Sequence, residues 1–316
     1  MNFLTKIPLV KTESPIDYNS RILLLGSCFA ENIGSKFDYY KFQSLVNPFG
    51  IIFNPVSIAD IVRRATDKDF FSENDAFFYN ERWNSYQVHS ELSSANKETF
   101  LEQLNYQIEV TQAQILQASH VCVTLGTAWV YRHLENNMVV ANCHKVPQKH
   151  FQKELLSVEE ILKSLEEIVS KIRSLNKEVK FIFTVSPVRH IKDGFVENQL
   201  SKAHLLTALH KYLGFKNSGS SYFPSYEIMM DELRDYRFYA QDMLHPNSIA
   251  IDYIWQRFTE TFITQESFSI MEEVEVVQKS LLHKPFNPTS ESHNKFLENL
   301  NKKMESVQQK VPHIEF

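Results

Sequence analysis

Short, wholly apolar runs alternate along this chain with longer stretches whose apolar residues recur every three or four positions. Residues 22–25 read as a buried strand, 28–41 as a helix, and Phe42 to Val46 as a second strand. A helix through Ile58, Ile61 and Val62 follows, and residues 99–118 again carry helical spacing. Val121-Cys122-Val123-Thr124-Leu125-Gly126 is another buried strand, ended by glycine. Ser157-Val158-Glu159-Glu160 forms a capping box before a helix whose apolar face is Ile161, Leu165, Ile168, Ile172 and Leu175. Val179 to Val185 predicts a strand stopped by Ser186-Pro187, and a helix through Leu200, Leu205 and Leu209 comes next. Tyr222 to Met229 predicts a further strand, and Ser248 to Phe262 a helix.

Buried strands alternating with amphipathic helices imply βαβ units, hence an α/β fold with a mostly parallel, right-handed sheet. Ligands of such sheets bind outside the carboxyl ends of the strands. Gly26, Gly126, Pro187 and His245 all fall at or after expected strand ends. Two segments stand apart from this alternation. Residues 66–98 are irregular, polar and aromatic, with Trp83, Tyr86 and His89, and read as an insertion. Beyond residue 265 the chain is rich in Glu, Lys, Gln and Asn, with Pro285 and Pro288 in its middle. There Phe296, Leu300, Met304 and Val307 keep helical spacing, so two amphipathic helices are expected, packed on the core or on a second chain. The expected organisation is a main domain over 1–265 and a helical appendage over 266–316.

Composition narrows the partners. With 316 residues, 43% of them hydrophobic, one large core is affordable, and 24 Phe and 13 Tyr argue against disorder over most of the length. Net charge is −5, from 33 Lys+Arg against 38 Asp+Glu, and no basic stripe suggests nucleic acid. No run of about 18 apolar residues suggests a membrane span. The N-terminus lacks the features of a secretory signal, and Cys28, Cys122 and Cys143 are odd in number and widely spaced. A cytoplasmic, reducing location is expected. Neither GxGxxG nor a P-loop occurs, so no nucleotide cofactor is indicated; HExxH is absent, and His144 and His150 lack ligand spacing, so no metal site is expected.

The chemistry concentrates in two places. Leu23-Leu24-Leu25-Gly26-Ser27-Cys28 brings an apolar strand to an abrupt turn that carries two nucleophile types at a helix N-terminus. Cys28 is the stronger nucleophile, and a helix N-terminus with a nearby His is expected to lower its pKa; Ser27 would need a base within hydrogen-bond reach. Far downstream, Asp242-Met243-Leu244-His245-Pro246 places an acid where it can hold one nitrogen of a loop histidine and leave the other to accept a proton. Together they outline an acyl-transfer site. Oxyanion donors are sought in the amides of the 27–28 turn and Gly50, and in the side chains of Thr127 or Asn142. Asn142-Cys143-His144-Lys145 is a polar stretch suited to the site's mouth. Arg189 either binds an anionic substrate group or pairs with Asp193, and the pairing is preferred.

Gly26-Ser27-Cys28-Phe29-Ala30 matches, letter for letter, the motif for which the GSCFA family is named. The blocks Asn47-Pro48-Phe49-Gly50, Thr124-Leu125-Gly126-Thr127-Ala128, Ser186-Pro187-Val188-Arg189-His190 and Asp242 to Pro246 resemble that family's as well, over residues 20–265. The family is similar to the SGNH (GDSL-like) hydrolases, which are esterases and carbohydrate deacetylases. That resemblance implies a three-layer α/β/α sandwich with a flavodoxin-like sheet. It sets Cys28 at the nucleophile's place, Ser27 at the position of the motif's aspartate, and Asp242 and His245 on the Asp-x-x-His block. The oxyanion glycine resembles Gly50, and the Gly-x-Asn block resembles Gly126-Thr127-Ala128, where alanine replaces asparagine and Thr127 or Asn142 is left to supply the donor. The function implied is hydrolysis of a small acyl ester, of a carbohydrate or glycoconjugate. The alternatives are O-acyl transfer from acyl-CoA through an acyl-cysteine, or a non-catalytic binding module. No cofactor is expected under the first reading and CoA under the second; oligomerisation would use the C-terminal helices.

Overall fold

The computed structural model describes residues 5–214 and 219–316. Five strands form a wholly parallel sheet: β1 (Arg21–Gly26), β2 (Gln43–Val46), β3 (His120–Leu125), β4 (Lys180–Val185) and β5 (Ser220–Phe223), in the spatial order β5-β4-β3-β1-β2. This is the flavodoxin-like order, and the direction of winding reverses between β1 and β3. Register there pairs Leu24 with Cys122 and Gly26 with Thr124.

Because strand side chains alternate between faces, each apolar run divides between two cores. Leu23, Leu25, Val121, Val123, Phe181 and Phe183 pack with helices α2 (Pro55–Asp67), α3 (Lys97–Gln117), α4 (Val158–Leu175) and α5 (Phe195–Gly214). Ile22, Leu24, Cys122, Ile182 and Phe223 face the other way, onto α1 (Cys28–Tyr39), α6 (Ser248–Phe262), α7 (Gln265–Leu281) and α8 (Glu291–Lys310). The chain is therefore an α/β protein with helices on both faces of its sheet. The capping box of α4 forms in both halves, with Ser157 accepting from the Glu160 amide and Glu160 accepting from that of Ser157. The expected C-terminal helices are present and cover the α1 face: Met271, Val274 and Val307 are buried there, and Gln278 donates to the Tyr39 carbonyl at 2.9 Å.

Three departures from the sequence reading have clear causes. The strand expected over Tyr222 to Met229 ends at Phe223, because Pro224 offers no ladder donor; a helical turn (Ser225–Glu227) and a π-helical turn (Ile228–Glu232) follow. The turn at 228–232 is anchored by Glu232, which accepts from the Ile7 amide at 2.8 Å, pairs with Arg257 at 3.3 Å and accepts from the Tyr253 hydroxyl. The region after β3 holds an additional three-stranded antiparallel sheet (Trp129–His133, Val139–Val140, Phe151–Leu155), whose mixed pattern gave little sign of strand. The 66–98 segment contains a hairpin pairing Phe77–Tyr79 with Arg82–Asn84, framed by 3-10 turns.

Candidate active site

Gly26 closes β1 with φ +136°, and a Cβ there would lie 2.1 Å from the Thr124 carbonyl oxygen, so only glycine fits. Ser27 is buried, donates its amide to Thr124 at 3.1 Å and caps α1 by accepting from the Phe29 amide at 3.3 Å. Cys28, half-buried, begins α1. The 47–54 loop folds over this turn: the Asn47 side chain accepts from Gly26 at 2.8 Å, and Ile52 donates to Gly26 at 3.2 Å. Gly50 sits at φ +73° beneath His89 and Glu91, and its amide donates to Asn47 at 2.7 Å, so the candidate oxyanion amide is engaged within its own turn.

Asp242 and His245 meet as expected. Asp242 accepts from the amides of Leu244 (2.9 Å) and His245 (3.0 Å) with one oxygen, and its other oxygen lies 2.6 Å from His245 Nδ1. Those two amides and then the imidazole hold its carboxyl at about 2. The turn needs Met243 at φ +60° and is tied to the sheet by Arg189, whose amide donates to the Leu244 carbonyl at 3.3 Å. Both side chains of the pair are about half exposed.

A cavity of about 480 Å³ opens at this edge. Of the residues named in the sequence it gathers His245, Thr127, Asn142, Cys143, Arg189, His190 and His89, and it adds the aromatic rings of Phe53, Trp129 and Tyr131. Cys28 and Ser27 are not in its lining, and neither is hydrogen-bonded to His245 among the described residues. Gly126 lies just beneath, its amide donating to the Phe53 carbonyl at 2.7 Å. The Thr127 hydroxyl is taken up by Ser201 (2.9 Å) and by the Trp129 amide (3.0 Å), which leaves Asn142 as the better side-chain donor: its oxygen accepts from His144, and its Nδ2 has no partner among the described residues. His144 is buried away from the mouth, with Nε2 2.7 Å from the Ser85 carbonyl.

Two expectations change. Asp193 pairs with Lys153 at 2.5 Å, not with Arg189, whose side chain has no carboxylate partner among the described residues and contacts Met230 Sδ at 3.3 Å. The Cys28 thiol is pushed up, not down: burial outweighs everything else, Glu31 adds to it, and Lys202 with the amides of Phe29 and Cys28 only partly offsets the rise.

Lys202 itself escaped the sequence reading. It is fully buried, and its Nζ donates to the carbonyls of Gly126 (2.8 Å) and Ser186 (2.7 Å) at the ends of β3 and β4. Burial, with Arg189 nearby, lowers its pKa to about 7. His190, stacked on Phe53 at 5.9 Å, is held neutral by burial and then by Lys202, His245 and Lys192, its pKa falling to about 3.

An α/β sheet with a Gly-Ser-Cys turn and an acid–histidine pair at one edge defines a class of site rather than a single protein. The chain belongs to the GSCFA family: that family's profile matches residues 21–258, and a second profile, described as the GSCFA domain protein, C-terminal domain, matches 274–316. Among solved structures the chain is similar to a carbohydrate esterase family 3 protein from Talaromyces cellulolyticus, at 11% identity and a TM-score of 0.37, covering 80% of this chain and 99% of that one. No match was found among curated proteins. No helix of the described residues is long and apolar enough to cross a membrane.

Proposed function

We propose that this protein is an SGNH-type acyl-ester hydrolase acting on a small acyl group of a carbohydrate or glycoconjugate. One observation carries the reading: the Asp242–His245 pair, at 2.6 Å, stands at the same carboxyl edge of the sheet as the Ser27–Cys28 turn, where the winding of the sheet reverses. Cys28 Sγ attacks the ester carbonyl while its proton passes to His245 Nε2. The tetrahedral adduct collapses, the ester C–O bond breaks, and His245 returns the proton to the departing alkoxide. Water then attacks the thioester, giving its proton to His245; the carboxylic acid departs and the thiol is restored. Asp242 holds the imidazole with Nδ1–H toward itself throughout. Asn142 Nδ2 supplies an oxyanion donor. Cys28 and His245 come within hydrogen-bond reach when the ester is in place, as catalytic contacts commonly do. The rings of Trp129 and Tyr131, flanked by Asn142, suit the face and hydroxyls of a sugar.

The test is turnover of para-nitrophenyl acetate and of an acetylated sugar by the purified protein and its Cys28→Ala, Ser27→Ala and His245→Ala variants. Loss in Cys28→Ala and His245→Ala supports the reading; turnover unchanged in both Cys28→Ala and Ser27→Ala refutes it. A second reading rests on the cavity's Arg189 and Lys192, which favour an anionic donor: acyl transfer from acyl-CoA. CoA binding by calorimetry, weakened in Arg189→Ala, distinguishes it.

A further inference from the structure

Beyond the turn that carries His245 lies a second cavity, of about 320 Å³. Arg189 and Leu244 line both it and the larger cavity, so the two adjoin across these side chains. The other walls are largely apolar: Phe195 at the start of α5, Met229 and Met230 from the π-helical turn, Tyr236, Tyr239 and Met243. Phe195, Tyr236 and Met243 are exposed, so apolar surface that the fold leaves uncovered is gathered at one opening.

Three of the chain's seven methionines meet here. Methionine is flexible and polarisable, which suits a wall that must mould itself to a ligand. Met243 holds φ +60°, a left-handed conformation that glycine or asparagine adopts at less cost. Strain of this kind gathers at ligand clamps, and a long side chain kept on it lines this cavity.

Arg189 stands at the junction. Its Nη1 meets the Met230 sulfur at 3.3 Å, a weak acceptor; its Nε is buried without a partner, and it has no carboxylate partner among the described residues. Asp235 also lines the cavity, but its carboxylate is taken up by Arg237 at 2.8 Å, and Arg234 brings a second cation. A guanidinium with its fork free beside an apolar wall is complementary to a carboxylate or phosphate that carries an alkyl or aryl group.

We propose that this second cavity is a substrate subsite for an amphipathic anion: Arg189 receives the carboxylate or phosphate, and the methionine-lined wall receives the alkyl or aryl group attached to it. The inference rests on the hydrolase reading for placing the acyl group of the same molecule beside His245. The 242–245 turn is then the partition between two halves of one substrate. His245 lines the first cavity, Met243 the second, and Leu244 both. The substrate class narrows from any acylated carbohydrate to one that bears an acid and an apolar substituent.

The experiment titrates the whole protein, isotopically labelled at its methionine methyls, with acetate, butanoate, hexanoate, octanoate and hexanamide, and follows it by NMR. The methyl signals of Met229, Met230 and Met243 should move with the longer acids while those of the other four methionines stay. Affinity should rise about threefold to fourfold with each methylene beyond butanoate. Hexanoate should bind about tenfold tighter than hexanamide, the low end of what charge-assisted hydrogen bonds contribute. Arg189→Met should erase the preference for the acid and keep the gain per methylene. Met230→Glu, which brings a carboxylate to Arg189 from within the chain, should lose the acid as well. Equal affinity for hexanoate and hexanamide in the wild type, or no saturable shift of the three methyls, overturns the proposal. Neither outcome depends on turnover or on the folding of a variant. Saturable, Arg189-dependent binding in a protein that cleaves no ester keeps the subsite and removes the hydrolase reading; Cys28-dependent turnover with unmoved methyls does the reverse.

Discussion

Asp242 Oδ2 lies 2.6 Å from His245 Nδ1, while the other oxygen of the same carboxylate caps the turn through the amides of Leu244 and His245. One side chain thus shapes the loop and sets the histidine's tautomer. Since the pair is half exposed, its contribution to stability is small, and its importance lies in orienting the ring.

Asp242→Asn should therefore lower turnover by about 10²–10⁴-fold, the range a positioned general base contributes, with little change in melting temperature. Steady-state kinetics alongside a thermal melt checks both parts. A variant that loses stability and activity together would assign Asp242 to the loop alone.

The Asp242 carboxyl, held at about 2, favours the folded state above its unfolded value of about 3.9, and that advantage is lost as pH falls through about 2. In His245→Ala the midpoint should rise yet stay below about 3.9, because the two amides are the larger cause. Carbon NMR of the side-chain carboxyl reads this directly.

The pH dependence of Lys202 has the opposite sense. With its pKa lowered to about 7, the unfolded chain binds more protons than the folded one between about 7 and 10.4, so stability from this group rises with pH across that window. Urea midpoints of the wild type, measured relative to Lys202→Met, should increase from pH 7 to pH 10. A flat difference would mean that the lysine stays charged in the folded state.

The three thiols should separate by reactivity. Cys122 is buried in the sheet with its pKa pushed up to about 12, and burial takes Cys143 to about 11. Timed alkylation at pH 8 is expected to label Cys28 first and Cys122 last.

Backbone constraint predicts the costliest single change at the Gly26-Ser27-Cys28 turn. Gly26→Ala forces a Cβ against the Thr124 carbonyl and a side chain onto φ +136°, which together should cost about 2–6 kcal/mol, measured by chemical denaturation. Glu232→Ala, which leaves Arg257 only its half-exposed partner Glu260 at 2.6 Å and strips the Ile7 amide of its acceptor, should cost about 1–3 kcal/mol.

The parallel sheet was legible because its strands are short apolar runs buried on both faces, and the helices between them keep a 3.6-residue rhythm around residues such as Ile161, Leu165 and Ile168. The antiparallel sheet at Trp129–His133 was not, since its Tyr131 and Arg132 are half-buried and interrupt any alternation. In the site, Asp242 and His245 were visible through their spacing. Lys202 was missed, yet it had a signature: it stands three and seven residues before Leu205 and Leu209, on the inward stripe of α5, beside Asn198 and Ser201. Polar residues at apolar positions of a helix mark a buried polar site, and spacing alone did not reveal which strand-end carbonyls would receive them. The fate of Arg189 depended on Lys153 reaching Asp193 first, a contact between distant segments that no local pattern encodes.

One face of the sheet is covered by α1 together with α6, α7 and α8, and the Ile16 amide bonds to the Phe262 carbonyl. During synthesis, then, the first strand has α1 alone on that side until α6 and the helices after it have formed. A fragment ending before residue 248 would present the rest of that apolar face to solvent and to chaperones.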